Sequence, residues 1–284
     1  MNRDALKGLL DARRDAIDPV TVGLQRPQRQ GRRAPGLAQD QVDSLAGYGR
    51  NTYTRLVNGK IDEPSFELLS AYALALRLEE QEWTAMCNYA RGQAPPFTLY
   101  QDSGLEVPAI WRDVIQGCTG HVSYITDRAW NLLATNKAFD EIYEALERPT
   151  NMMRWMLLSP AARGIPGDPD RPGILTDWHT AWAPYVLPQL RAARARFRRD
   201  RTLFEIEQDV VADPITGPLY EERANASVHP DGDRRPQLHP LYGPGWVTIC
   251  AAEPLGSAGA RVMGVFFTPG AMPDDAPAPL RASS

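Results

Sequence analysis

Between Gly47 and Gly59 the chain places Arg50, Asn51, Thr52, Thr54 and Arg55 almost side by side. Their chemistry is that of contact with bases and phosphates. Arginine bridges O6 and N7 of guanine, asparagine bridges N6 and N7 of adenine, and hydroxyls reach either phosphates or bases. Gln39 stands shortly upstream, and Arg29, Arg32 and Arg33 occupy a stretch without acids. From Arg26 to Lys60 seven basic residues face two acidic ones, on a chain of formal net charge -4. A local positive surplus on an otherwise acidic protein points to one polyanion-facing surface.

The elements that would position these residues are short helices. Leu37, Val42, Leu45, Tyr53 and Leu56 form an inward-facing set, Ala46 is small enough for two helices to meet, and Gly47 permits a tight turn. This is the pattern of a helix-turn-helix, in which the first helix braces a second that enters the major groove. Upstream, Leu6, Leu9, Leu10 and Ile17 recur at helical spacing. Downstream, Phe66, Leu69, Ala73 and Leu76 share a face, and a further helix with acids in its first turn ends before Gly92. Five short helices are expected within residues 1–92, followed by a proline-containing linker over 93–108.

Residues 109–284 read differently. Apolar strands are expected around Val122–Ile125 and Trp130–Ala134, with a turn at Asp127-Arg128. Two more, "GWVTICAAEPL" and "ARVMGVFFTPG", form a hairpin across residues 256–259. Helices are expected from Lys137, from Met152, over about 177–199 and around 203–211. Strands at both ends with helices between them suggest an antiparallel sheet covered on one face, so the chain is of the α+β class. Its large side chains, Tyr124, Trp130, Met153, Met156, Trp246 and Phe266, could line an apolar pocket, since methionine adapts to varied shapes. The same residues could equally fill a solid core.

The order and spacing of "PGL" at 35–37, "LAG" at 45–47 and "YTRLVNG" at 53–59 resemble the Xre-type helix-turn-helix regulators. The segments "YITDRAWNLLATNKAF", "NMMRWMLLSPAAR" and "FFTPG" are similar to the branch with a MmyB-like C-terminal domain. The resemblance implies that Arg50, Asn51 and Arg55 face base edges and that Gln39 meets a phosphate. It also implies a PAS-like second domain that holds a small hydrophobic ligand such as a fatty acid. Two positions depart from the family. Gly49 stands where Ser or Thr is usual, removing a side-chain helix cap at a cost of a few tenths of a kcal/mol. Val57 stands where Glu is usual, which leaves Arg13 or Arg14 without its partner and the brace looser. The proline-rich insert "GIPGDPDRPGILTDW" lengthens the approach to the middle helix.

Other chemistry finds little support. His121, His179, His229 and His239 lack metal-ligand spacing, and no GxSxG, P-loop or GxGxxG occurs. Cys87, Cys118 and Cys250 are far apart without a CxxC, which reads as buried free thiols in a reducing compartment. The first residues lack the apolar core of a signal peptide, and no run approaches the ~18 residues of a membrane span. The expectation is a cytoplasmic, non-enzymatic regulator that binds an operator in double-stranded DNA. One helix-turn-helix contacts too little DNA for high specificity, so a homodimer with recognition helices ~34 Å apart is expected. A second domain that recruits a protein partner without a ligand, and an enzyme with a vestigial helix-turn-helix, are the other two readings.

Overall fold

The computed structural model describes residues 2–26, 36–144, 146–165, 167–168, 170–222 and 231–272. The chain divides into two compact units, Met1–Ser103 and Gly104–Ser284. In the first, helices α1 (Arg3–Ala16), α2 (Gln39–Leu45), α3 (Thr52–Val57), α4 (Phe66–Ala75) and α5 (Glu80–Arg91) surround a core that includes Leu6, Leu10, Val42, Tyr53, Leu56 and Trp83. Side-chain caps start α1 and α4: Asn2 accepts from the Ala5 N–H and Ser65 from the Leu68 N–H. Gly92, in the left-handed region, ends α5.

Val57 does not loosen this bundle. It is buried at 2% exposure in the core, and Arg13 donates instead to Glu82 of α5, Nε to Oε1 at 2.6 Å. Glu82 also accepts the Glu79 N–H at 2.8 Å, so one carboxylate fixes both the start of α5 and its contact with α1. Arg14 pairs with Asp11 and Asp15. Much of the segment expected as linker belongs to this unit. Glu80 accepts from the backbone N–H groups of Leu99 and Tyr100 at 3.1 and 2.8 Å, and the Trp83 indole donates to the Phe97 carbonyl at 3.1 Å. The division therefore falls at Ser103/Gly104 rather than across all of 93–108.

The second unit contains a five-stranded antiparallel sheet in the order β2-β1-β5-β4-β3, with β1 at Val122–Thr126, β2 at Leu132–Thr135, β3 at Asp233–His239, β4 at Gly243–Ala252 and β5 at Arg261–Pro269. Helix α6 (Ile110–Gly117) precedes it. Helices α7 (Lys137–Ile142), α8 (Met152–Leu158), α9 (Pro160–Arg163), α10 (Ala183–Arg196), α11 (Arg201–Ala212) and α12 (Thr216–Glu222) lie between β2 and β3 in sequence. The α+β expectation holds, with local differences. β2 begins at Leu132 because Trp130 adopts the left-handed region (φ 64) and ends the β1–β2 turn. β3, "DRRPQLH", carries no strand signal in sequence because Pro236 interrupts a run of polar residues. It is an edge strand, where a missing N–H is tolerated.

Polar motifs set the frame of this unit. Asp127 closes the β1–β2 turn by accepting from the N–H groups of Ala129 and Asn131 at 2.8 and 2.9 Å. Next to it, Arg128 forms an ion pair with Asp200 at 2.8 Å, with side chains 7% and 4% exposed, and Asp200 caps α11 through the Leu203 N–H. The end of the proline-rich insert is also held. Leu175 N–H donates to Ala162 in α9, and the Ile174 carbonyl accepts from Leu238 in β3. A π-helical turn at Trp178–Trp182 then leads into α10. Of the three thiols, only Cys87 is buried; Cys250 is exposed and Cys118 intermediate, a correction to the expectation for all three.

Candidate DNA-reading turn and ligand cavity

The link between α2 and α3 turns at Gly47 (φ 73) and Asn51 (φ 69), both left-handed. Asp43, 2% exposed, locks it. Its carboxylate accepts from the Tyr53 N–H at the start of α3 and from the Tyr72 hydroxyl of α4, each at 2.7 Å. Burial and this bond together hold the Tyr72 phenol well above its ordinary range, so it stays a donor. Sequence reasoning missed Asp43. Its signal was an acid beside Val42, on the side of α2 that turns inward.

Helix α3 starts at Thr52, so Arg50 and Asn51 belong to the turn and not to the helix body. Asn51 occupies the cap position with no side-chain cap bond. The cap position of α3 is thus Asn51 and not Gly49, and the Thr52 hydroxyl donates to the Gly49 carbonyl at 2.8 Å. Thr54 donates to Gln39 Oε1 at 2.9 Å, tying the two helices together on their polar side. Arg50, Asn51 and Arg55 are exposed, and their side chains have no hydrogen-bond partner among the described residues. They are the groups this turn leaves available. Arg29, Arg32 and Arg33 lie outside the described residues.

In the second unit, the helices and one face of the sheet border a cavity of about 400 Å³. That is within the usual range for small-molecule sites. Of the residues singled out in the sequence, Tyr124, Trp130 and Met156 line it. Met153, Trp246 and Phe266 do not. On α8 the cavity is met by Met152, Trp155 and Met156, an i, i+3, i+4 set, while Met153 is wholly buried in the adjoining core. On β4 and β5 the lining residues are Val247, Ile249, Met263, Val265 and Phe267, and alternation puts Trp246 and Phe266 on the opposite face. There Trp246 lies under Arg234, with the guanidinium 5.6 Å from its ring centre, and Phe266 stacks on His121 at 4.2 Å. Period-two counting through "ARVMGVFFTPG" would have separated these faces.

The same alternation brings Arg261 to the cavity wall, a residue the sequence reading passed over. Its guanidinium lies 4.0 Å from the centre of the Trp130 ring, and Nη1 donates to the Gly259 carbonyl at 2.9 Å. No carboxylate lies within salt-bridge distance of it among the described residues. Burial pulls its pKa down to about 10, which leaves it charged at neutral pH. Tyr124 stands directly across β1–β5 pairing from Met263, two residues along from Arg261. Its hydroxyl and that of Tyr143, both lining the cavity, are pushed up by burial and remain protonated. The Trp155 indole N–H, also in the wall, is buried without a partner. The cavity is thus apolar in area, with unpaired donors at defined places.

Residues 29–83 match the helix-turn-helix family model. Residues 107–244 match the model described as the MmyB-like transcription regulator ligand binding domain. No curated protein matches the chain closely enough to be named as a relative. These two matches are to domains of DNA-binding transcription regulators. The chain itself combines an Xre-type helix-turn-helix domain with a MmyB-like ligand-binding domain. The second match stops at Pro244, before most of β4 and all of β5, so the wall that carries Arg261 lies beyond it. Among the described residues no helix is long and apolar enough to cross a membrane, and no group of His, Cys, Asp or Glu is arranged to hold a metal ion.

Proposed function

We propose that this regulator acts as a homodimer in the cytoplasm and that the affinity for its operator is set by a long-chain amphiphile bound in the second unit, with an anionic head group such as that of a fatty acid. One observation carries the reading: Arg261 is a charged group in the wall of a largely apolar cavity, bonded to a carbonyl and set over an aromatic face, with no carboxylate within salt-bridge distance among the described residues. A half-buried charge without a salt-bridge partner is a ready partner for an anion, and a carboxylate would pair with the guanidinium Nε and Nη2 while its chain fills the apolar remainder. A domain that merely recruits a protein partner has no need of such a chamber, which favours the ligand-controlled reading over that alternative. Arg50, Asn51 and Arg55 would read base edges, and two copies would supply the contacts that one short recognition helix lacks.

The ligand can alter DNA binding only if it binds two arrangements of the protein with different affinity. The test is a titration of delipidated full-length protein with hexadecanoic acid, following binding to an operator selected from random DNA and, in parallel, the mass in solution by sedimentation. The expected result is a dimer whose operator affinity shifts with saturation of the cavity. A monomer whose DNA affinity is the same with and without bound acid overturns the reading.

A further inference from the structure

The cavity has a second polar end. Gln237 and His239, both 7% exposed, lie in its wall on the edge strand β3. His239 Nδ1 accepts the Leu241 N–H at 3.2 Å, which assigns the proton of the neutral ring to Nε2. That Nε2–H has no hydrogen-bond partner among the described residues, and neither has the Gln237 amide. Two rings, of Tyr242 and Phe267, pack on the imidazole with centroids 4.6 and 4.8 Å away, so the ring is held in place.

Two elements measure how far this end lies from Arg261. Phe267, the neighbour of His239, is six residues along β5 from Arg261, about 20 Å at strand rise. Helix α10 gives the same length. Trp182, just before it, donates to the Pro236 carbonyl in β3 at 3.0 Å, and Arg196 at its far end pairs with Glu253 beyond β4 at 3.5 Å. Fourteen residues of helix cover about 21 Å. An apolar stretch of that length with a cation at one end and a neutral donor-and-acceptor pair at the other is not matched by a plain fatty acid, whose terminal methyl would leave Gln237 and His239 unpaired.

We infer that the ligand is a long-chain acid bearing a neutral oxygen function, a hydroxyl or carbonyl, at the end of the chain remote from its carboxylate, received by Gln237 and His239. This rests on the anionic-amphiphile reading above. From C–C bonds near 1.5 Å, an extended chain of about sixteen carbons covers about 20 Å, so 16-hydroxyhexadecanoic acid is the fitting probe.

The test compares delipidated full-length protein and the Gln237→Leu/His239→Leu double variant for binding of 16-hydroxyhexadecanoic and hexadecanoic acids by calorimetry. Wild type is expected to prefer the hydroxy acid by about tenfold, the worth of one or two neutral hydrogen bonds. The double variant should reverse or erase that preference while still binding hexadecanoic acid, which also shows that it is folded. Equal binding of the two acids by wild type, or an unchanged preference in the variant, overturns this inference alone. Failure of wild type to bind either acid overturns the anionic-amphiphile reading beneath it.

Discussion

The two units use unpaired arginines under opposite conditions. Arg50 and Arg55 stand in water, where a missing protein partner has no cost because solvent supplies the hydrogen bonds. Arg261 stands half-buried in the wall of a cavity, where water supplies fewer of those bonds and a ligand would supply the rest. The difference shows which absences are informative. An exposed, unpartnered arginine is compatible with DNA and equally with nothing, so its role rests on the helix-turn-helix around it. A half-buried one carries more of its own argument, because reduced access to water raises the cost of the unpaired state. Arg128 marks a third condition: it is buried and paired with Asp200, and so serves the frame of the domain.

Breaking the paired case should have the largest effect. Arg128→Ala leaves Asp200 buried and uncompensated and should cost the second unit about 3–5 kcal/mol, read as a shift in its denaturant midpoint. A loss below about 1 kcal/mol would mean that water reaches the pair. Removing the unpaired one should do the reverse to stability and the most to binding. Arg261→Met should leave stability unchanged or higher. It should also weaken hexadecanoic acid by about 10- to 100-fold, as loss of hydrogen bonds to a charged group implies, while the affinity for hexadecanol stays as it was. Equal weakening of acid and alcohol would place the head group elsewhere.

On the exposed side the effects are smaller. Arg50→Ala should cost about 1–3 kcal/mol on the selected operator and relax the preference at one base pair, checked by comparing specific with random DNA. Equal weakening on both would reduce Arg50 to a phosphate contact. Replacing Arg32 and Arg33 by Ala should weaken all sequences alike and make the log-log salt dependence shallower by up to roughly 2, so an unchanged slope takes that segment out of the interface. The smallest effect concerns His239, whose pKa burial holds below its ordinary value against the weaker opposing pull of Glu141. The unfolded chain then binds more protons than the folded one below about pH 6.5, so stability falls as pH drops from about 7 to 5. His239→Phe should remove that part of the fall, and denaturant midpoints at the two pH values measure it.

How much of this was legible in the sequence differed between the units. The helix-turn-helix could be read because its signals are local: apolar spacing, a glycine where a left-handed turn is needed, and polar residues on the outer side. What escaped was Asp43, whose importance comes from Tyr53 and Tyr72, ten and twenty-nine residues away. The boundary of the unit escaped for the same reason, since Glu80 holds Leu99 and Tyr100 from a distance. In the second unit the strands with continuous apolar runs were visible, while β3 was not, because pairing with β4 makes it a strand and its own residues do not.

The sequence by itself determined that a basic, helical DNA-reading head precedes an α+β domain rich in large apolar side chains, because periodicity and local charge act over a few residues. It also contained the alternation that divides β4 and β5 into two faces. Only the tertiary structure decided which face met the cavity, placing Tyr124, Trp130 and Met156 in its wall and Met153, Trp246 and Phe266 elsewhere. It alone set Arg261 in that wall with no carboxylate at salt-bridge distance among the described residues, and the Gln237 amide and His239 Nε2 some 20 Å away. Whether a polar group is satisfied depends on atoms brought to it from distant parts of the chain, and spacing along one strand or helix does not contain that information.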